Sequence, residues 1–126
     1  MYPHDLKYTK DHEWIRVEGK RGRVGLTNYA QEQLGDVVFV ELPEPGRRLK
    51  QGETFGVVES VKAVSDCYAP VGGTVVETNP RLVDEPGLIN QDPYGEGWMM
   101  LVEVDDPAEL DALMDAAAYE KHVEEA

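Results

Sequence analysis

Apolar and β-branched residues along the chain fall in short runs: Trp14–Val17, Arg23–Leu26, Val37–Leu42, Phe55–Glu59, Thr74–Glu77 and Trp98–Val104. Each run has the length of a strand and is too short for a helix with a full apolar stripe. Between the runs stand Glu44-Pro45-Gly46, Gln51-Gly52, Val71-Gly72-Gly73, Glu85-Pro86-Gly87 and Gly95-Glu96-Gly97, which are turn sequences. The spacing predicts a mainly β fold of short antiparallel strands, a small sandwich or barrel. Two helices interrupt it. Asn28 and Gln31 form a capping box and Gly35 ends a helix of about two turns. Asp106, Pro107 and Glu109 open a C-terminal helix over about 107–125. Leu110, Leu113, Met114 and Ala117 form its apolar stripe, with Asp111, Asp115 and Glu120 facing out. The expected organisation is one domain over 1–126, with its β core at about 6–104.

Composition narrows the class. The 126 residues are 41% hydrophobic and 29% charged, the balance of an ordinary globular chain. The net charge is −13, which argues against nucleic acid or an anionic membrane as partner. That charge is unevenly spread: residues 1–50 carry net +1, 51–102 net −6 and 103–126 net −8. No apolar run approaches the ~18 residues of a membrane span. Cys67 is the single cysteine, so an internal disulfide and a thiolate zinc site are excluded, and a reducing compartment is the simplest setting.

The stretch from Pro45 to Val75 is the most informative. A strand through Phe55–Glu59 leads into Ser60-Val61-Lys62-Ala63-Val64-Ser65-Asp66, and the chain returns through Cys67-Tyr68-Ala69. This reads as a hairpin with one lysine at its tip. Lys62 and Arg81 are the only cations between residues 51 and 102, and Glu59 and Asp66 flank Lys62. An exposed turn lysine is commonplace by itself. Its surroundings are not: Glu59-Ser60-Val61-Lys62-Ala63, with the turns before it and Ala69-Pro70-Val71-Gly72-Gly73 after it, resembles the lipoyl and biotinyl carrier domains, where the hairpin lysine carries the cofactor. Biotin carriers place methionine on both sides of that lysine; here Val61 and Ala63 stand there, so lipoate fits better.

Further motifs narrow the resemblance. Tyr8-Thr9-Lys10-Asp11-His12-Glu13-Trp14, Gly25-Leu26-Thr27-Asn28-Tyr29-Ala30-Gln31, Leu34–Pro43, Pro86-Gly87-Leu88-Ile89-Asn90, Pro93-Tyr94 and Gly97-Trp98-Met99 resemble the glycine cleavage system H proteins, from about Leu6 to the final helix. The resemblance implies a barrel-sandwich hybrid fold and a non-catalytic carrier. It further implies that lipoate is attached covalently to Lys62, within a hairpin context of Glu59, Ser60, Val61, Ala63 and Asp66. The implied partners are glycine decarboxylase (P protein), aminomethyltransferase (T protein), dihydrolipoamide dehydrogenase (L protein) and a lipoate ligase or octanoyltransferase. The carrier shuttles the aminomethyl group of glycine and reducing equivalents among them. Glu13 and Asp66 match acidic positions near the arm's docking cleft, and Asp11 stands where the family often has serine. A carboxylate there favours the protonated aminomethyl nitrogen, which protects the cargo from expulsion of the thiolate. Met1 lies only a few residues before the matching segment, which leaves no room for a transit peptide; a cytoplasmic bacterial monomer is expected.

Two other readings stand beside this one. A lipoyl relay, or a carrier for a different partner set, would share the hairpin. A small hydrolase would use Glu13 and Asp66 as paired carboxylates. His4, His12 and His122 are far apart in sequence without ligand spacing, so no metal site is expected. Cys67 has no histidine close behind it and reads as a small core or surface residue. Trp14 and Trp98 read as core anchors.

Overall fold

The computed structural model describes residues 2–125; Met1 and Ala126, the ends of the expected 1–126 unit, lie outside them. The strands are β1 (Lys7–Tyr8), β2 (Glu13–Glu18), β3 (Arg21–Leu26), β4 (Val37–Glu41), β5 (Arg48–Leu49), β6 (Thr54–Ser60), β7 (Val64–Tyr68), β8 (Gly73–Thr78) and β9 (Met100–Val104). The helices are α1 (Asn28–Leu34), α2 (Arg81–Asp84), α3 (Leu88–Gln91) and α4 (Ala116–Glu124), with a 3-10 turn at Pro107–Ala112. All pairings are antiparallel and build two sheets, one in the order β1-β2-β3-β9-β8-β5 and the other β4-β6-β7. Each of the six predicted apolar runs holds a strand. The alternation of side chains along them supplies the main core, in which Ile15, Val24, Val40, Phe55, Val58, Val75 and Val102 are buried together.

A second core lies around Trp14, where Leu6, Tyr8, Ala116 and Tyr119 are buried. Tyr119 of α4 stacks on Tyr8 with centroids 4.6 Å apart and planes at 10°. The Trp14 indole N–H donates to the carbonyls of Leu26 and Pro93, both at 3.0 Å. Trp98 is less enclosed: the Arg23 guanidinium lies 4.3 Å from its ring centroid and covers it.

The first helix expectation changes at its cap and the second in its continuity; Asp106 caps the opening turn at Pro107 as expected, accepting from the Ala108 N–H at 3.0 Å. Thr27, not Asn28, caps α1, accepting from the Ala30 N–H at 3.2 Å. The Asn28 side chain instead accepts from the Gln31 amide at 2.8 Å. Gly35 ends the helix as expected, at φ +79°, a conformation that glycine adopts without steric cost. The segment after Asp106 is two pieces and not one helix. Leu113 is extended, and Met114 pairs with Tyr8 through two backbone hydrogen bonds of 2.8 and 2.9 Å. Asp115, expected as an outward helical residue, caps a new helix by accepting from Ala118 N–H at 2.9 Å. The restart shifts the phase, so Ala116 and Tyr119 are buried while Ala117 faces solvent.

One side chain ties the two sheets together. Glu13, at the start of β2, is 1% exposed. One carboxylate oxygen accepts from the Thr9 hydroxyl and the other from the Tyr68 backbone N–H of β7 at 3.0 Å. Burial pushes its carboxyl up to about 7, and Asp11 adds to that; the bonds from Thr9 and Tyr68 pull it back.

Two stability predictions follow from these contacts. Removal of the α4 cap in Asp115→Ala should cost about 1 kcal/mol and lower the thermal midpoint by roughly 3–6 °C, read by circular dichroism. A carboxyl whose value is raised on folding favours the folded state while protonated, and that contribution fades as pH climbs through about 7. Between pH 5 and 8 wild type should therefore lose about 2–3 kcal/mol of stability relative to Glu13→Gln, at about 1.4 kcal/mol per pKa unit. Urea midpoints across that range measure it, and a pH-independent difference would mean that Glu13 stays in one protonation state.

Candidate functional site

The β6–β7 hairpin carries Lys62 at its tip, between Val61 and Ala63, and all three are exposed. Ser60 shapes this turn. Its hydroxyl oxygen accepts from the N–H of Lys62 at 3.2 Å and of Ala63 at 3.0 Å, and its own N–H donates to the Ala63 carbonyl at 2.8 Å. Val61 N–H donates to the Asp36 carbonyl at 3.0 Å, which fixes the tip to the start of β4. A serine there satisfies two turn donors that no strand partner reaches.

Lys62 lies against Gly35. A Cβ added to Gly35 would sit 3.3 Å from Lys62 Cε, so the missing side chain leaves room for the lysine stem. The ion pairs among the described residues involve Arg16, Arg47, Arg48 and Arg81. Arg81, the other cation of the middle segment, is held by Glu96 at 2.8 Å and Glu85 at 3.4 Å. Lys62 takes part in none, so its ammonium is presented without a carboxylate within 4.0 Å. Glu59 and Asp66 flank it along the hairpin without pairing to it: Glu59 stands opposite Val64, and Asp66 opposite Val57.

Two clefts meet at Glu13. The smaller, about 290 Å³, opens between α1, residues 11–13 and the start of β7, and includes Asp11, Glu13, Leu34, Ala63 and Asp66. The larger, about 550 Å³, lies toward Gln51, Tyr68, Leu113 and Met114 and contains no residue of the turn 61–63. Adjacency to the lysine outweighs size, and the smaller cleft is the candidate. The three acidic residues expected near the arm thus share one cleft, in different settings. Asp11 and Asp66 are exposed at its rim, while Glu13 is buried with both oxygens engaged. A carboxylate so engaged is poorly placed as half of a hydrolytic pair.

Several contributors escaped the sequence reading. The Thr9 hydroxyl oxygen accepts from the N–H of Asp11 and Glu13 at 3.2 and 3.1 Å and organises the loop that holds the rim. His12 lines the cleft at φ +73°. Its Nδ1 is 2.8 Å from the Tyr119 hydroxyl, which is 2.7 Å from Thr27 Oγ1. Its position between the two singled-out acidic residues was the available signal. Two histidines distant in sequence come together in the fold: the rings of His12 and His122 lie 5.6 Å apart. His122 Nε2 is 3.0 Å from the Lys10 carbonyl. No group of three metal-ligating residues forms among the described residues. Cys67 is buried in the main core and burial pushes its thiol up, the setting of a packing residue and not a nucleophile.

Known proteins resemble this chain in sequence and fold. The family model described as Glycine cleavage H-protein matches residues 6–126. The glycine cleavage system H protein of Symbiobacterium thermophilum is 67% identical over 123 residues, covering 98% of this chain and 96% of that one. That of Bacillus subtilis is 52% identical over 123 residues, covering 98% and 97%. A crystal structure of a glycine cleavage system H protein from Mycobacterium marinum is similar with a TM-score of 0.86 and 44% identity, covering 97% and 98%. Extended identity of this order, together with one shared fold, is more than a hairpin motif provides, and the chain belongs to the glycine cleavage H-protein family.

Proposed function

We propose that this chain is the lipoyl carrier of the glycine cleavage system, with lipoate attached to Lys62 through an amide bond. The observation that carries the reading is Lys62 itself: an unpaired, exposed ammonium on a turn that Ser60 and Asp36 fix, beside a cleft that shares its rim. The residues present fit the group. Gly35 leaves room for the lysine stem, and Leu26, Ala30 and Leu34 give the cleft an apolar wall beside its carboxylates. When bound, lipoate supplies a dithiolane that takes up the aminomethyl group of glycine together with reducing equivalents.

This chain's own residues hold, present and shield. Amidation removes the Lys62 charge and leaves a neutral stem; with its acyl chain the arm reaches on the order of 14 Å. Asp66 and Asp11 at the rim favour a protonated amine in the cleft, and Leu34 and Ala30 keep water from one side of it. Glu13 fixes the rim on the second sheet and keeps the cleft walls at constant spacing. A cation in the cleft would favour the ionised form of Glu13, whose carboxyl stands near 7 without one. Catalysis belongs to the partners: glycine decarboxylase, aminomethyltransferase and dihydrolipoamide dehydrogenase, after a lipoate ligase or octanoyltransferase has acylated Lys62. A cytoplasmic setting is part of this reading and suits the buried free thiol of Cys67.

Lys62→Arg should fold as wild type, since an exposed turn position tolerates the change within about 0.5 kcal/mol, and should gain no lipoyl mass when co-expressed with a lipoate ligase. Retention of the increment in intact-mass spectra would place attachment elsewhere. Asp66→Asn should acquire lipoate normally yet, once loaded, release ammonia and formaldehyde roughly 3–10-fold faster at neutral pH, the effect of weakening one partly solvated charge-assisted bond. The gap should narrow toward pH 5, where bulk protons protect the amine. Equal release rates at every pH would make Asp66 ordinary surface charge.

A further inference from the structure

The three-stranded sheet turns Val40 and Val58 inward, where both are buried. Residues directly opposite on neighbouring strands project from the same face. Phe39, Glu59 and Val64 form one rung across β4, β6 and β7, and Glu41, Val57 and Asp66 form the next rung on that face. The outer surface is a checkerboard: an acid between two apolar residues, then an apolar residue between two acids. Of the six large apolar side chains that stand exposed among the described residues, four belong to this sheet and its turn: Phe39 at 51% and Val64 at 67% on the outer face, Val38 at 54% beside it in β4 and Val61 at 69% in the turn. A shift of register between Val37 and Phe39 sets Val38 outside the pairing. Glu41, Glu59 and Asp66 enter no ion pair among the described residues. Exposed apolar groups clustered among unpaired carboxylates mark a surface for a partner.

Two considerations choose the partner. A protein that meets the finished arm can act at its far end, on the order of 14 Å from the Lys62 backbone. The enzyme that builds the arm has no such reach to use. It must bring an activated acyl carbon to Nζ, so that the new N–C bond forms as the donor's leaving group departs and the ammonium gives up two protons. Its surface therefore has to close over the residues beside the turn. The charge agrees: β4, β6, β7 and the turn between β6 and β7 contain one cation, Lys62, while the outer face carries three carboxylates, and complementary contact calls for a basic rim.

Resting on the role of Lys62 given above, we propose that this checkerboard is the platform by which the acylating enzyme recognises its acceptor. The complement is an apolar ridge between lysines or arginines. Recognition then needs β4, some 20 residues before the lysine, and not the hairpin alone.

The test measures acylation of the unmodified full chain by a purified lipoate ligase with lipoate and ATP, following the mass increment over a range of carrier concentrations. The variant Val38→Ser/Phe39→Ser should lose at least tenfold in kcat/KM, mainly through KM, with an unchanged thermal midpoint. Val17→Ser, also an exposed valine at 37% but on β2 of the other sheet, should stay within twofold of wild type. Phe39→Leu should restore most of the loss. Added NaCl should raise KM more steeply for wild type than for Glu41→Gln. Wild-type efficiency in the double serine variant would overturn the proposal, as would an equal loss in Val17→Ser. Unchanged acylation with a raised KM toward glycine decarboxylase would also overturn it and assign the face to a later partner. A mass increment surviving in Lys62→Arg would bring down the attachment reading itself, separately from any result at Phe39.

Discussion

Burying a carboxylate costs several kcal/mol unless polar groups replace its water, and at Glu13 two groups do so from different parts of the fold. Thr9 belongs to the loop before β2, and the Tyr68 N–H belongs to β7 of the other sheet. The carboxylate thereby joins the sheets at the place where both clefts meet. A hydrocarbon side chain in its place would leave the Tyr68 N–H and the Thr9 hydroxyl without an acceptor, at about 1–3 kcal/mol for each group left unpaired. Asp11, in the turn before β2, and Asp66, on β7, occupy one rim because this contact holds the two segments together. The chemistry of the cleft thus rests on a residue that mostly does structural work.

The hairpin tip illustrates how a carrier differs from a catalyst. Among the described residues Lys62 enters no ion pair, and the aromatic and histidine network around Tyr119 does not include it. The surrounding contacts act on the backbone instead. Ser60 satisfies the turn, Asp36 anchors it and Gly35 clears space for the stem. A rigid base under a long flexible side chain lets the ammonium end travel while the backbone at Lys62 stays fixed.

Sheet, helix and rim are coupled through the second core. Tyr119 of α4 reaches both His12, at the cleft, and Thr27, the cap of α1. α4 is positioned by the Met114 bridge to Tyr8 and by the Asp115 cap. A short C-terminal helix therefore bears on a cleft wall that belongs to α1, and neither segment would show this alone.

Local sequence determined the six longer strand runs, the Lys62 hairpin with its return strand and the first-helix stop, but not the two-residue strands β1 and β5, because alternation, Pro-Gly turns and a left-handed glycine act within a few residues. It also placed Asp11, Glu13 and Asp66 near one another by family resemblance. The state of each acid was not legible, since burial depends on which sheet closes over it; Glu13 and Asp66 look alike in sequence and differ wholly in solvation. The helix expected over 107–125 failed for a similar reason. Its apolar spacing was compatible with one helix, but Met114 gained two backbone hydrogen bonds from Tyr8, more than a hundred residues away, and Asp115 was then free to cap a new start. The nearness of His12 to His122 and the three-strand checkerboard likewise arise from pairing across the chain. Periodicity and turn chemistry are local and can be read from a sequence; solvation, partner choice and the faces of a sheet are set only when distant segments meet.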